Sequence, residues 1–150
     1  PTEWEETRKG FPLKISNQVL KGCVGALDGF FQPTICPTLM ESDGFPRVFY
    51  SGHYQSYGLN CQAMCDARLR FNLFTVIAPG KTNDAAAYEA TGLHETIDKL
   101  PSGLYVAGDA AYMLTKHLLV PFTGSCKSWF TTKDFNDSCV LSLYTLASLL

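Results

Sequence analysis

The sequence predicts a mixed α/β domain with helices packed on one sheet. Three observations carry this. Apolar runs of strand length stand at 22–27, 59–66 and 69–78. A run of helix formers, Ala85 to Ala90, lies between cap-forming residues and Gly92. A further apolar run, Leu104 to Ala107, follows it, so strand and helix alternate in the second half.

Taken in order, residues 2–9 are polar and read as the end of a helix stopped by Gly10 and Pro12. Cys23 to Leu27 reads as a buried strand that ends at an Asp28-Gly29 turn. Phe31 to Cys36 reads as the next strand, broken by Pro33 and ended by Pro37. Residues 38–53 hold Asp43-Gly44, Pro46 and Ser51-Gly52, the composition of a loop. Leu59 to Asp66 and Leu69 to Ala78 form two strands joined by a tight turn near Ala67-Arg68. Pro79-Gly80 stops the second.

Thr82, Asn83 and Asp84 offer side-chain caps for the helix 85–90, and Gly92 limits it. A second short helix is expected over 93–100, before Pro101. The strand Leu104 to Ala107 ends at Gly108-Asp109, and Thr115 to Leu119 is expected as a brief helix. Pro121 to Lys133 is loop-like. In the tail, Val140, Leu143, Tyr144, Ala147 and Leu150 fall at helical spacing. The chain has no internal repeat and no low-complexity segment.

Composition bounds the function. The 150 residues suit one domain, and 46% apolar with 13% aromatic content excludes a disordered chain. Charged residues are 17%, below the usual ~25%, which suggests surface that another part of a longer protein covers. The first residue, Pro1, points the same way. A net charge of −2 argues against autonomous DNA binding, which needs a basic excess. It does not argue against a catalytic core whose acids hold metal.

The six cysteines, 23, 36, 61, 65, 126 and 139, form no CxxC pair. They read as buried free thiols rather than a disulfide framework. Cys61 and Cys65, four apart, fall on one face of a strand or a helix. The acidic N-terminus lacks an apolar leader, and the longest apolar tract, Cys139 to Leu150, is too short to span a bilayer. A soluble intracellular protein is expected.

Two segments share one design. Asp28 and Asp109 each stand where an apolar strand is expected to end, the place where α/β sheets tend to hold ligands. On neighbouring strands the two carboxylates would converge, and like charges need a cation between them. Hard oxygen donors suit Mg²⁺ or Mn²⁺. The plainer alternative is that each Asp-Gly or Gly-Asp pair is a turn.

Residues 22–125 resemble the DDE superfamily endonuclease domain of PIF/Harbinger-type transposases. The matching segments are Gly25-Ala26-Leu27-Asp28-Gly29, Tyr57 to Asp66, Pro79-Gly80-Lys81-Thr82-Asn83-Asp84, Gly108-Asp109-Ala110-Ala111-Tyr112 and Val120-Pro121-Phe122. Each segment is weakly specific, and their order and spacing together are specific. The resemblance implies an RNase H-like mixed sheet flanked by helices and truncated at the C-terminal helix. It implies a divalent metal and DNA cleavage and strand transfer at transposon ends, in the nucleus, often with a separate DNA-binding partner protein.

Carried over, Asp28 and Asp109 match the family's first and second catalytic acids. Asp84 matches the acid of a His-Asp pair whose His is Asn83 here, so Asp84 is either a third metal ligand or a helix cap. Tyr112 is expected to pack under the Asp109 strand end. The family's third acid is a Glu on a later helix, but this sequence has no Glu after Glu95, only Asp134 and Asp137. The domain reading is therefore a linker and helix end over 1–21, the endonuclease-like domain over 22–125, and a divergent tail over 126–150.

The missing Glu leaves two functions open: a transposase-derived endonuclease, or a non-enzymatic scaffold kept after the acid was lost. A third, unrelated reading is a metal-dependent phosphatase or hydrolase using Asp28 and Asp109. His53, His94 and His117 read as surface or loop residues. Arg47, Lys81 and Lys116 read either as phosphate contacts or as solvated charges. Tyr50, Tyr54 and Tyr57 read either as base-stacking rings or as loop packing.

Overall fold

The sheet is organised around one long strand, β1, Cys23–Pro33. A computed structural model of the chain describes residues 3–11 and 20–121. A short helix, α1 (Glu3–Thr7), precedes β1. Strands β2 (Tyr50–Ser51), β3 (Ser56–Cys65) and β4 (Phe71–Pro79) follow it. Helices α2 (Asp84–Ala90) and α3 (Leu93–Asp98) lead to β5 (Tyr105–Gly108) and β6 (Leu118–Leu119).

The strand order is β2-β3-β1-β5-β6, with β4 also paired to β3. β3 runs antiparallel to β1 and to β4, whereas β5 is parallel to β1 and β6 parallel to β5. The first half of the domain is thus a meander of local hairpin type. The second half needs a crossover, which α2 and α3 supply.

The sequence reading placed a turn at Asp28-Gly29 and a separate strand after it. Instead β1 runs straight through both residues to Pro33. The reason is β3, which pairs with β1 continuously from Ala26↔Cys65 to Pro33↔Gly58 and gives these residues ladder partners. The expected helix at Thr115 to Leu119 is also corrected. The Val106 N–H bonds to the His117 carbonyl at 2.8 Å, and Leu118 and Leu119 pair with Val106 and Ala107. An open edge of β5 captured that segment as strand. The 38–53 loop contains a 3-10 turn, Pro46–Phe49, and then β2. The expected loop from Pro121 and the tail helix lie, beyond Pro121 itself, outside the described residues.

The β3–β4 hairpin falls where the sequence put it. Asp66 closes it: its Oδ1 accepts the Arg68 and Arg70 amides at 2.8 and 3.0 Å, and its Oδ2 takes the Arg70 guanidinium at 2.7 and 2.9 Å. The first crossover helix starts as expected too. Asn83, in an extended conformation, accepts the Ala86 N–H at 2.8 Å as the N-cap. Gly92 (φ +69°) then takes the left-handed turn between α2 and α3, which any side chain would strain.

The two faces of the sheet bury different sets. On one face Val24, Leu27, Met64, Val106 and Leu118 pack against Tyr88, Leu93 and Ile97 of the helices. Full burial of each such side chain contributes roughly 1.5–3 kcal/mol. On the other face Cys23, Ala26, Cys65 and Ala107 pack with Phe11, Leu20 and Ala67. Cys23, Cys61 and Cys65 are buried, the latter two on one strand, while Cys36 is exposed. Among the described residues, no helix is long and apolar enough to cross a membrane.

Candidate active site

Side chains alternate along a strand, so Leu27 and Gly29 face the helices while Ala26 and Asp28 face the other way. The β1–β5 ladder runs in parallel register up to Leu27↔Gly108. Asp28 and Asp109 are the next residue on each strand, and neighbouring strands lie about 4.8 Å apart. The two acids thus each follow one of a pair of partnered residues on neighbouring strands. Asp109 stands just past the end of β5, and Asp28 stands mid-strand where the β5 partner runs out.

Each carboxylate has one oxygen held by the backbone. Asp28 Oδ1 accepts the Gly29 N–H at 2.9 Å, and Asp109 Oδ1 accepts the Ala111 N–H at 2.9 Å. Burial pushes the Asp28 carboxyl up to about 6; the Gly29 amide pulls against this, and the charges of Asp109 and Asp84 add to it. Burial likewise raises Asp109, opposed by the Ala111 amide and reinforced by Asp84. Asp28 therefore feels the charge of both other acids, and Asp109 that of Asp84.

Asp84 arrives from the helix side. It is the first residue of α2, not the cap; Asn83 fills that role. Its Oδ1 accepts Asn60 Nδ2 at 2.8 Å and Gln62 Nε2 at 3.3 Å. The carboxylate lies directly over Gly29, whose partner across the ladder is Gln62. A Cβ at position 29 would overlap Asp84 and come within 2.7 Å of Gln62 Nε2. Only glycine permits this approach.

A buried polar chain connects these parts. Gln62 is fully buried and reaches Asn60 Oδ1 at 2.8 Å, and its Oε1 accepts the Tyr112 hydroxyl at 2.7 Å. Asn60 also donates to the Thr82 carbonyl at 3.0 Å. Tyr112 packs against Gly108 as expected from the sequence, and burial followed by the three carboxylate charges holds its hydroxyl firmly protonated. Sequence reasoning gave Asn60 and Gln62 no role. The available signal was two amides at alternate positions of an otherwise apolar strand, a pattern that buries both on one face.

The histidines correct a further expectation. His117 is buried, with Nδ1 2.8 Å from the Leu104 carbonyl. His94 is half-buried against Tyr88, and its Nδ1 has no hydrogen-bond partner. His53 is an exposed loop residue, as expected.

As a donor set, Asp28 and Asp109 suit a hard divalent cation in kind: both are oxygen ligands. They do not complete a site in number. Among the described residues, no three His, Cys, Asp or Glu side chains are grouped to hold a metal ion.

Beside Asp84 opens a cleft of about 550 Å³, bordered by Gly29, Phe31, Ser51 to Tyr54, Lys81 to Ala85 and Ala111. Asp84 is the acid that lines this cleft, with Gly29 and Ala111, the residues next to Asp28 and near Asp109, on its border. Residues 27–142 match the family model of the DDE superfamily endonucleases, more than three-quarters of the chain. The chain belongs to the DDE superfamily endonuclease family. Within this endonuclease chain the matched region contains Asp28, Asp84, Asp109 and the whole Asn60–Gln62–Tyr112 network. The family supports a transposase-derived nuclease domain with DNA as its substrate class. No curated protein and no solved structure matches the chain.

Proposed function

We propose that this chain is the DDE endonuclease domain of a PIF/Harbinger-type transposase, with an RNase H-like sheet. The observation that carries it is the side-by-side placement of Asp28 and Asp109 on parallel neighbours β1 and β5, with each carboxyl raised by burial and by nearby negative charge. The strand order supports the fold reading: an antiparallel meander followed by parallel strands on the far side of β1. Four of the sequence segments that resemble the subtype, on β1, on β3, before α2 and after β5, all border the site.

Asp28 and Asp109 would hold the metal in this reading, with Asp84 as a third oxygen donor. A divalent cation, Mg²⁺ or Mn²⁺, at such carboxylates supplies activation of a water and charge stabilisation at the leaving oxygen. The chain's own contribution is positional. Gln62 and Asn60 fix Asp84, and Tyr112 ties the Asp109 turn to β3. DNA cleavage and strand transfer at transposon ends, a separate DNA-binding partner and a nuclear location all belong to this reading.

A second reading has its own observation. No Glu follows Glu95, and the described residues contain no metal-holding group of three. Ligand charge sets the affinity for hard cations, so two carboxylates hold ions weakly. This favours a domain retained as a scaffold or interaction module, inactive or nearly so in strand cleavage. Plasmid nicking with Mn²⁺ decides between them: robust cleavage abolished by Asp109→Asn establishes the enzyme. Calorimetry tests the site itself. Weak Mn²⁺ binding lost in Asp28→Ala is expected, and unchanged affinity in that variant overturns the assignment.

A further inference from the structure

The cleft beside Asp84 does not end there. Gly52 and Lys81 also border a second cleft of about 440 Å³, which reaches Arg47 and Tyr50. The two form one open path leading away from Asp84. The Lys81 N–H bonds to the Val48 carbonyl at 3.1 Å, so the backbone itself fixes Lys81 beside the Arg47 turn.

The lining has a definite chemistry. Phe31 and Tyr54 are stacked, with ring centroids 4.5 Å apart and planes 11° from parallel. His53 stands edge-on to Tyr54 at 4.7 Å. Tyr54 is 56% exposed and Tyr50 39%, so much of each ring surface is left unspent by packing. Arg47 and Lys81 are exposed, and neither is in an ion pair among the described residues. Aromatic rings alternating with unpaired cations along a groove are the means by which proteins track unpaired nucleic acid.

We propose that this path binds a single strand of DNA, with bases stacked on Tyr54 and phosphates held by Lys81 and Arg47, leading it toward Asp84. The inference rests on the endonuclease reading for its choice of DNA. A duplex hides the base faces that these rings would use, whereas an unpaired strand offers them. The ring pair is stacked before any ligand arrives, which lowers the ordering entropy of binding. The acidic chain as a whole makes the affinity modest and salt-sensitive.

The test is fluorescence anisotropy of the full chain in EDTA, with a labelled oligothymidylate of about ten nucleotides. Tighter binding of the strand than of a hairpin duplex of equal length is expected. Tyr54→Ala weakens the strand about tenfold or more, and Tyr54→Phe, which keeps the ring, restores most of it. The double variant Arg47→Ala with Lys81→Ala flattens the plot of log affinity against log salt by about 1.4, at ~0.7 per phosphate contact. All three side chains changed are exposed, and circular dichroism confirms folding. Equal or tighter binding of duplex, tighter binding of oligouridylate, an unchanged affinity in Tyr54→Ala or an unchanged salt slope overturns the proposal. No metal is present in this assay, so a failure of Mn²⁺ binding or nicking leaves its outcome separate.

Discussion

Tyr112 donates its hydroxyl to Gln62 Oε1 at 2.7 Å, joining two residues fifty positions apart in a buried contact. The bond ties the turn that carries Asp109 to the middle of β3, and Gln62 passes the constraint to Asn60 and Asp84. Removing the donor strands a buried acceptor. Tyr112→Phe is therefore expected to lower stability by about 1–3 kcal/mol. Urea denaturation should show a lower midpoint with an unchanged slope. A midpoint equal to wild type would mean that Gln62 finds another partner.

Asp28 stores the opposite kind of energy. Its native carboxyl titrates near 6, above the ordinary carboxylate range of the unfolded chain. Between those values the native state binds more protons than the unfolded state, so stability falls as pH rises through that window. Without metal, Asp28→Asn removes that loss. After allowing for solvent screening at this half-buried group, the variant is expected to exceed wild type by about 1 kcal/mol at pH 7. The gain disappears near pH 4. Denaturation in EDTA at both pH values reads this, and a variant less stable than wild type at pH 7 contradicts it.

Asp66 behaves with the reverse sign. Burial alone would raise its carboxyl, but the Arg70 amide and guanidinium and the Arg68 amide together hold it below the ordinary range. Its contribution is present above the unfolded carboxyl's range and is lost as pH falls through the lower native value. The ion pair is not the main part, because Arg70 is 64% exposed. Arg70→Ala is expected to cost within ~1 kcal/mol. Asp66→Ala leaves the hairpin amides without their acceptor and should cost about 2–3 kcal/mol. Equal losses in the two variants would assign the stabilisation to the pair instead.

The hairpin, α2 with its Asn83 cap and the strand before Asp109 were all legible because local chemistry decides them. Turn residues, a cap and short apolar runs act within a few positions of one another. The errors have a common cause. Asp28-Gly29 has the composition of a turn, but a partner thirty-odd residues away held it as strand. Leu118-Leu119 joined β5 through a pairing that no local pattern encodes. At the site, the strand-pairing of β1 with β5 brings Asp28 and Asp109 close, and the two segments' own composition does not encode that pairing. The amide pair Asn60 and Gln62 was not legible either, because its meaning depends on what lies opposite, a glycine and an aspartate from two other elements.

That glycine provides the sharpest test of the site's construction. A methyl at position 29 would occupy the space of the Asp84 carboxylate and press on Gln62. Overpacking of this kind costs typically 1–3 kcal/mol, so Gly29→Ala should be destabilised by about that much. Part of the clash belongs to Asp84 alone. In the double variant Gly29→Ala with Asp84→Ala, the methyl meets one obstacle fewer. The two losses should then sum to less than expected from the single variants, by about 1 kcal/mol. Strict additivity in a double-mutant cycle by urea denaturation would show that the Asp84 carboxylate does not rest on Gly29, and with it would go the reason for a glycine after the first acid.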